Sequence, residues 1–232
     1  MFTFQKCRTV KYVTLMMVCI FVSFAGYFTF RPKPRSLLII GCARSGTTYI
    51  ARALRQRGLH IGHEQMKKDG SSSWPLAVLP VKDRSGIRPG KYRFAHIFHQ
   101  VRDPLKVISS VYMTEGRQSW NYIMKHLPEI AMSDSHLVKC AKYWYYWNLH
   151  AEKNAEWTYA IEDLDNKWDE FDARLGKKLL PATRINVPKD KNTRLTKNRT
   201  YFTWNDLKQE LEPELYMNIK QLAQKYGYAT EN

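Results

Sequence analysis

A strand, a glycine-bounded loop and a helix follow one another over residues 37–57, LLIIGCARSGTTYIARALRQR. The four apolar residues before Gly41 predict a buried strand of a parallel sheet. From about residue 46 the apolar residues recur with the spacing of one helical face. They are Tyr49, Ile50, Ala53 and Leu54. The chain is therefore expected to adopt an α/β fold around this unit.

The phosphate loop, residues 41–47, joins the strand to the helix and has the composition of an anion-binding site. The first N–H groups of a helix have no intrahelical partner, and the helix dipole places partial positive charge beside them. Arg44 adds a full charge, and hydroxyl donors come from Ser45, Thr47 and Thr48. The sequence thus predicts a site for phosphate or a related anion, with a strand–loop–helix that binds nothing as the alternative.

This loop nearly matches the Walker A motif, G-x-x-x-x-G-K-[ST]. Gly41 and Gly46 have the required spacing, but Thr47 occupies the position of the lysine. That lysine contacts the β- and γ-phosphates of a nucleoside triphosphate. Its replacement argues against an ordinary ATPase and indicates a nucleotide with a different terminal group.

A second strand–helix unit spans residues 94–112, FAHIFHQVRDPLKVISSVY. Its apolar strand is predicted to end just before Arg102. Asp103 suits a helix N-cap, and Pro104 suits the first helical turn. Arg102 is therefore expected at the carboxyl end of a strand, where ligands of open α/β sheets bind. Ser110 follows on the helix.

Together the two units resemble the sulfotransferases that use 3′-phosphoadenosine 5′-phosphosulfate (PAPS). The first motif of that family, [KR]-S-G-T-[TS], is matched by residues 44–48, RSGTT. The second motif begins with an arginine and carries a serine eight residues later, as do Arg102 and Ser110. The likeness is weaker in the last third of the chain.

The resemblance implies a P-loop kinase-like parallel sheet flanked by helices, with PAPS as co-substrate and no metal. It also implies that the phosphate loop holds the 5′-phosphosulfate, through Arg44, Ser45, Gly46, Thr47 and Thr48. Arg102 and Ser110 would hold the 3′-phosphate. The expected reaction moves the sulfuryl group of PAPS to an acceptor hydroxyl, which we expect on a carbohydrate.

Such a reaction needs a base, because the acceptor hydroxyl loses its proton as it attacks sulfur. In several branches of the family this role belongs to an acidic residue or a histidine that follows the phosphate loop at about the same spacing along the chain as His63 and Glu64. The spacing of Glu64 from Thr48 fits the carbohydrate-modifying branch, so Glu64 is the predicted base. His63 and His99 are the alternatives, although a histidine inside an apolar strand is more often a core residue. Arg44 is expected to stabilise the charge on the leaving phosphate.

Residues 12–30, YVTLMMVCIFVSFAGYFTF, contain no charge and are long enough to cross a bilayer core of ~30 Å. We expect a basic tail over 1–11, a transmembrane signal-anchor over 12–30, a basic stem over 31–35 and a sulfotransferase-like domain over 36–232. A signal peptide cleaved before Gly26 is the alternative. The predicted location is a single-pass membrane protein, of the Golgi membrane with a lumenal domain if eukaryotic, or of the inner membrane if bacterial.

A formal net charge of +16 attracts anions but does not choose among nucleotides, acidic polysaccharides, nucleic acid and anionic lipid. The sequence has no zinc-finger spacing, RNP motif or basic-region zipper, so nucleic acid is not an expected partner. Two other functions stay open. One is a P-loop phosphotransferase using ATP and Mg²⁺, and the other is a non-catalytic, membrane-tethered binder of acidic polymers.

Further elements are predicted along the chain. They are a short strand over 59–62, a mobile polar loop over 67–74, a helix over about 135–154, a strand over 157–161 and helices over 166–175 and 215–226. The aromatic run 143–147 covers every face of its helix, so most of it is expected in the core. Glu162 and Asp163 are expected to cap the helix that follows them.

Two expectations concern cysteines and the carboxyl-terminal third. Cys42 and Cys140 are expected to be small core residues, with a disulfide between them left open. The basic stretch 183–199 predicts a long irregular loop. In the family a basic loop of this region closes over the nucleotide, so the resemblance implies Lys197 and Arg199 as cofactor-binding residues. The lysine/arginine-glycine pattern of that loop is absent here.

Overall fold

The fold is taken from a computed structural model that describes residues 34–78, 93–187 and 201–231. Its strands are β1 Arg35–Gly41, β2 Ile61–His63, β3 Gly70–Ser72, β4 Phe94–Val101 and β5 Trp157–Ala160. Its α-helices are α1 Thr47–Gln56, α2 Pro104–Thr114, α3 Arg117–His126, α4 His136–Asn154, α5 Trp168–Leu175, α6 Trp204–Glu210 and α7 Pro213–Lys225. Short 3₁₀ turns cover Pro75–Ala77, Ile161–Asn166 and Ala182–Arg184.

The five strands form one sheet in the order β2-β3-β1-β4-β5, and every neighbouring pair is parallel. Because parallel strands end at the same edge, the segments after β1, β2, β4 and β5 meet at the carboxyl edge of the sheet. The predicted α/β fold with a parallel sheet flanked by helices is confirmed.

Strand β1 is buried on both faces over its four apolar residues, 37–40, as expected of a central strand in a parallel sheet. Leu38 and Ile40 belong to one apolar cluster, which α2, α4, α6 and α7 cover. Leu37 and Ile39 belong to the other, which α1 and α5 cover. The aromatic run lies in the first cluster, where three of its members are fully buried. These are Tyr143, Trp144 and Trp147.

Helix starts follow the local sequence closely. Asp103 caps α2 by accepting a hydrogen bond from the Lys106 N–H at 3.1 Å. Ser135 caps α4, and Thr203 forms a capping box at the start of α6. Cys42 and Cys140 are buried and unbridged, as expected of small core residues.

The stretch 67–74 does not form the predicted mobile loop. Its centre is β3, a buried strand between β2 and β1. Gly70 makes this possible because a Cβ at that position would lie 1.7 Å from the Leu37 carbonyl oxygen. Ser71 and Ser72 are small enough to follow it into the interior. Backbone proximity, rather than apolar side chains, therefore holds this strand in the sheet.

Replacing Gly70 by alanine is expected to lower the free energy of unfolding by about 3 kcal/mol or more, since the Cβ meets backbone and φ is +143°. Urea denaturation of the full chain measures the loss. Gly116→Ala is the matched control, because no atom lies within 4 Å of a Cβ built there, and it should cost less than about 1 kcal/mol. Equal losses for the two variants would contradict the steric explanation.

The predicted membrane location is corrected by the structure. None of the helices within the described ranges is long and apolar enough to cross a membrane. The predicted tail and anchor, residues 1–30, lie outside the described residues, as does most of the predicted stem.

Candidate functional site

The phosphate loop turns sharply between β1 and α1. Gly46 has a φ of 92° and precedes the first residue of α1, and Arg44 has a φ of 69°. Glycine adopts this left-handed region without penalty, whereas arginine does so at a cost of about 1 kcal/mol or more. Within the described residues no side chain caps α1. The first N–H groups of α1 therefore have no side-chain cap and are able to bind an anion in the loop.

Buried side chains from both faces of the sheet hold the loop. On the α4 side, the Tyr143 hydroxyl accepts a hydrogen bond from the Ala43 N–H at 2.7 Å. On the other side, Gln100 Nε2 donates to the Ser45 carbonyl at 2.7 Å, and the Tyr159 hydroxyl donates to Gln100 Oε1 at 2.9 Å. Burial raises the pKa of both tyrosines well above its usual value, so both hydroxyls stay protonated.

The second motif meets the phosphate loop at the carboxyl edge. Strands β1 and β4 are neighbours, with Gly41 opposite Gln100. Arg102 therefore follows β4 beside the loop, and its Nη1 donates to the Arg44 carbonyl at 3.0 Å. Arg44 Nε in turn donates to Ser110 Oγ at 2.9 Å. Three residues predicted from two separate motifs thus lie in one hydrogen-bonded group.

An acidic side chain lies beside this group. Glu162 Oε1 is 3.9 Å from both Arg102 Nε and Lys106 Nζ. The Tyr228 hydroxyl donates to Glu162 Oε2 at 2.9 Å, and burial together with the Glu162 charge raises the pKa of Tyr228 well above its usual value. The prediction that Glu162 and Asp163 cap the next helix is wrong, because α5 has no side-chain cap among the described residues.

Two of the three predicted base candidates, His63 and Glu64, lie on the other side of the loop, at the end of β2. His63 Nε2 is 3.1 Å from Thr47 Oγ1 and 3.2 Å from Thr48 Oγ1. Glu64 Oε1 is 3.7 Å from the same nitrogen, and the Glu64 side chain is 44% exposed. Glu64 has a left-handed φ of 54°, which directs the chain away immediately after the strand.

The ionisation of His63 depends on its surroundings. Burial lowers its pKa below the ordinary 6.5, the neighbouring Glu64 raises it, and the charges of Arg52 and Arg55 lower it again. The net direction is downward, so the ring is neutral at neutral pH and able to accept a proton.

His99 is a core residue, as expected of a histidine inside an apolar strand. Its Nε2 lies 3.0 Å from Asn148 Oδ1, and its Nδ1 lies 3.2 Å from Thr158 Oγ1. Complete burial lowers its pKa to about 4. The structure therefore does not bring His99 to the phosphate loop.

Two predicted cofactor-binding residues, Lys197 and Arg199, lie outside the described residues. Among the residues described, no group of three or more His, Cys, Asp or Glu side chains could hold a metal ion.

The comparisons with known proteins give a distant likeness among solved structures. No family model matches the chain. No curated protein matches it either. Among solved structures, the chain is similar to one described as "Sulfotransferase Domain from the Curacin Biosynthetic Pathway", at 12% identity and a TM-score of 0.46. That match covers 86% of this chain and 100% of the other. The similarity is too low to assign a family or an activity.

Proposed function

We propose that this protein is a sulfotransferase that moves the sulfuryl group of PAPS to an acceptor hydroxyl on a carbohydrate. The observation that carries the proposal is the hydrogen-bonded group of Arg44, Arg102 and Ser110 beside a phosphate loop that lacks the Walker lysine. A loop and an adjoining cationic group offer two neighbouring anion sites. PAPS carries two such anions, the 5′-phosphosulfate and the 3′-phosphate.

The phosphate loop suits the 5′-phosphosulfate. Its helix N-terminus and the hydroxyls of Thr47 and Thr48 are donors for oxyanions. The Ser45 hydroxyl is buried and donates to the Cys42 carbonyl at 2.7 Å, so it supports the turn of the loop instead. Thr47 in place of lysine removes a full charge that a triphosphate would need. The loop therefore favours a less highly charged terminal group.

Arg102 and Ser110 suit the 3′-phosphate. An arginine is well matched to phosphate because its planar fork presents several N–H donors. Arg44 bridges the two anion sites, since its carbonyl accepts from Arg102 and its guanidinium donates to Ser110. ATP has no 3′-phosphate and would leave the Arg102 site unfilled.

In the proposed reaction, the acceptor oxygen forms a bond to sulfur while the bond between sulfur and the 5′-phosphate oxygen breaks. Adenosine 3′,5′-bisphosphate leaves with that oxygen and its electron pair. Glu64, with His63 beside it, takes the proton of the acceptor hydroxyl. Arg44 and the N–H groups at Gly46 stabilise the charge that builds on the leaving phosphate. These donors supply the positive charge that Mg²⁺ supplies in P-loop phosphotransferases, so the proposal includes no metal.

Thermal denaturation of the full chain with three separate ligands tests the proposal. Adenosine 3′,5′-bisphosphate at 100 times its Kd should stabilise the protein by ~2.7 kcal/mol, which raises Tm by roughly 5–10 °C. Adenosine 5′-monophosphate is the matched control, because it lacks only the 3′-phosphate, and it should give a much smaller shift.

The third ligand, ATP with Mg²⁺, separates the alternatives. If ATP with Mg²⁺ raises Tm and the other two ligands do not, the proposal is contradicted and a phosphotransferase is favoured. No shift with any of the three would favour a non-catalytic binder of acidic polymers.

A further inference from the structure

Helix α1 carries two arginines on the face that begins at the phosphate loop. Thr48, Arg52 and Arg55 are separated by four and three residues, so they lie above one another on one side of the helix. Side chains of a helix tilt toward its N-terminus. The Cα–Cβ bonds of Arg52 and Arg55 therefore tilt toward the loop.

This arginine pair, Arg52 and Arg55, lies beside the proposed base. Thr48 Oγ1 is 3.2 Å from His63 Nε2. The charges of both arginines act on the His63 ring. An acceptor whose hydroxyl faces Glu64 would therefore have the arginine pair along one flank.

The arginine pair differs from the other arginine of the same helix. Arg57 is buried and makes a bidentate pair with Asp172, at 2.9 Å for both contacts. Within the described ranges, neither Arg52 nor Arg55 forms a hydrogen bond or an ion pair with another residue. Arg55 is exposed and favoured by the dipole of α1, but Arg52 is half-buried. A half-buried cation that forms no ion pair is costly, and an anionic ligand would offset that cost.

We infer that Arg52 and Arg55 bind an oxyanion of the acceptor, a carboxylate or a sulfate ester, next to the hydroxyl that receives the sulfuryl group. The inference rests on the proposed function and names its acceptor class as an anionic glycan. The reaction leaves this oxyanion unchanged, and the arginine pair positions and selects the acceptor.

Isothermal titration of the full chain, saturated with adenosine 3′,5′-bisphosphate, tests the inference with three oligosaccharides. The first is a tetrasaccharide of alternating glucuronate and N-acetylglucosamine, and the second is its carboxyl-reduced, neutral counterpart. The third carries sulfate esters on the same carboxyl-reduced backbone, so that sulfate is its only charged group. One or both charged probes should bind about tenfold or more tightly than the neutral one, and the better probe identifies the oxyanion.

Substitutions then locate the binding. The double variant Arg52→Ala/Arg55→Ala should weaken binding of the charged probe by about tenfold or more, because hydrogen bonds to charged groups are lost, and leave the neutral probe unaffected. Arg52→Lys/Arg55→Lys should retain part of the affinity. Lys125→Ala/Lys208→Ala removes two exposed cations from α3 and α6 and is the matched control for net charge, with an expected change below about twofold.

Two results would overturn the inference. One is equal binding of charged and neutral probes by the unaltered protein. The other is an equal loss of affinity for the charged probe in Arg52→Ala/Arg55→Ala and in the control Lys125→Ala/Lys208→Ala. The affinity for adenosine 3′,5′-bisphosphate is measured in the same samples. If it is retained, the variants are folded and only the inference fails, whereas its absence in the unaltered protein means that the proposed function fails.

Discussion

Replacing Arg102 by alanine is expected to weaken the binding of adenosine 3′,5′-bisphosphate by about 10- to 100-fold. Hydrogen bonds from a guanidinium to a charged group contribute about 1.5–3 kcal/mol, and Arg102 is the proposed ligand of the 3′-phosphate. The substitution also removes the donor to the Arg44 carbonyl, which helps to hold a left-handed residue in place. Titration calorimetry of the full chain measures the change in Kd.

Lys106→Ala is the matched control for this experiment. Lys106 is a half-exposed cation at the same distance from Glu162 as Arg102, but it has no hydrogen bond to the phosphate loop. Its removal should change the Kd by less than about threefold, as is usual for an exposed charge. An equal effect of the two variants would mean that Arg102 contributes only its positive charge to the electrostatic potential of the site and makes no direct contact with the 3′-phosphate.

Glu64→Gln is expected to lower kcat by about 10²- to 10⁴-fold while leaving the Kd of adenosine 3′,5′-bisphosphate unchanged. Glutamine keeps the shape of the side chain but cannot accept the acceptor proton at neutral pH, and a general base typically contributes a factor of this size. Release of the bisphosphate from PAPS in the presence of a glycan acceptor measures turnover. Glu129→Gln, at an exposed position elsewhere, is the control and should retain full activity.

The pH dependence of turnover distinguishes Glu64 from His63. Burial lowers the pKa of His63, so a His63 base would be neutral and active above that lowered pKa. Activity would then fall as the pH drops through it, and His63→Gln would abolish this acidic limb. If the acidic limb persists in His63→Gln and kcat is retained, His63 only positions its neighbours. Full activity of Glu64→Gln would remove Glu64 from the mechanism.

The elements that position the site were predictable because local sequence determines them. The apolar run of β1 and the helical spacing of α1 fix the ends of the phosphate loop. Asp103 and Pro104 fix the start of α2, and therefore the place of Arg102 at the end of β4. Parallel pairing of β1 with β4 then brings the two motifs together.

Other features depend on contacts between residues far apart in the chain. Strand β3 has no apolar pattern, and its place depends on how closely Gly70 approaches Leu37. Gln100 and Tyr143 contact the phosphate loop from distant elements. The one sequence signal for Gln100 is a polar residue near the end of an apolar strand. Glu162 was wrongly predicted as a helix cap from its local sequence alone. Its contact with Tyr228 joins segments 66 residues apart, and the local sequence does not reveal it.

The hydrogen bonds from Tyr143 and Gln100 to the phosphate loop have a consequence for ligand binding. A flexible anion-binding loop loses conformational entropy when its ligand binds, at about 1–2 kcal/mol for each backbone residue that becomes ordered. Here the hydrophobic core orders the loop during folding, so the entropy is lost before any ligand arrives. Affinity for the anion is thereby coupled to the integrity of the core on both faces of the sheet.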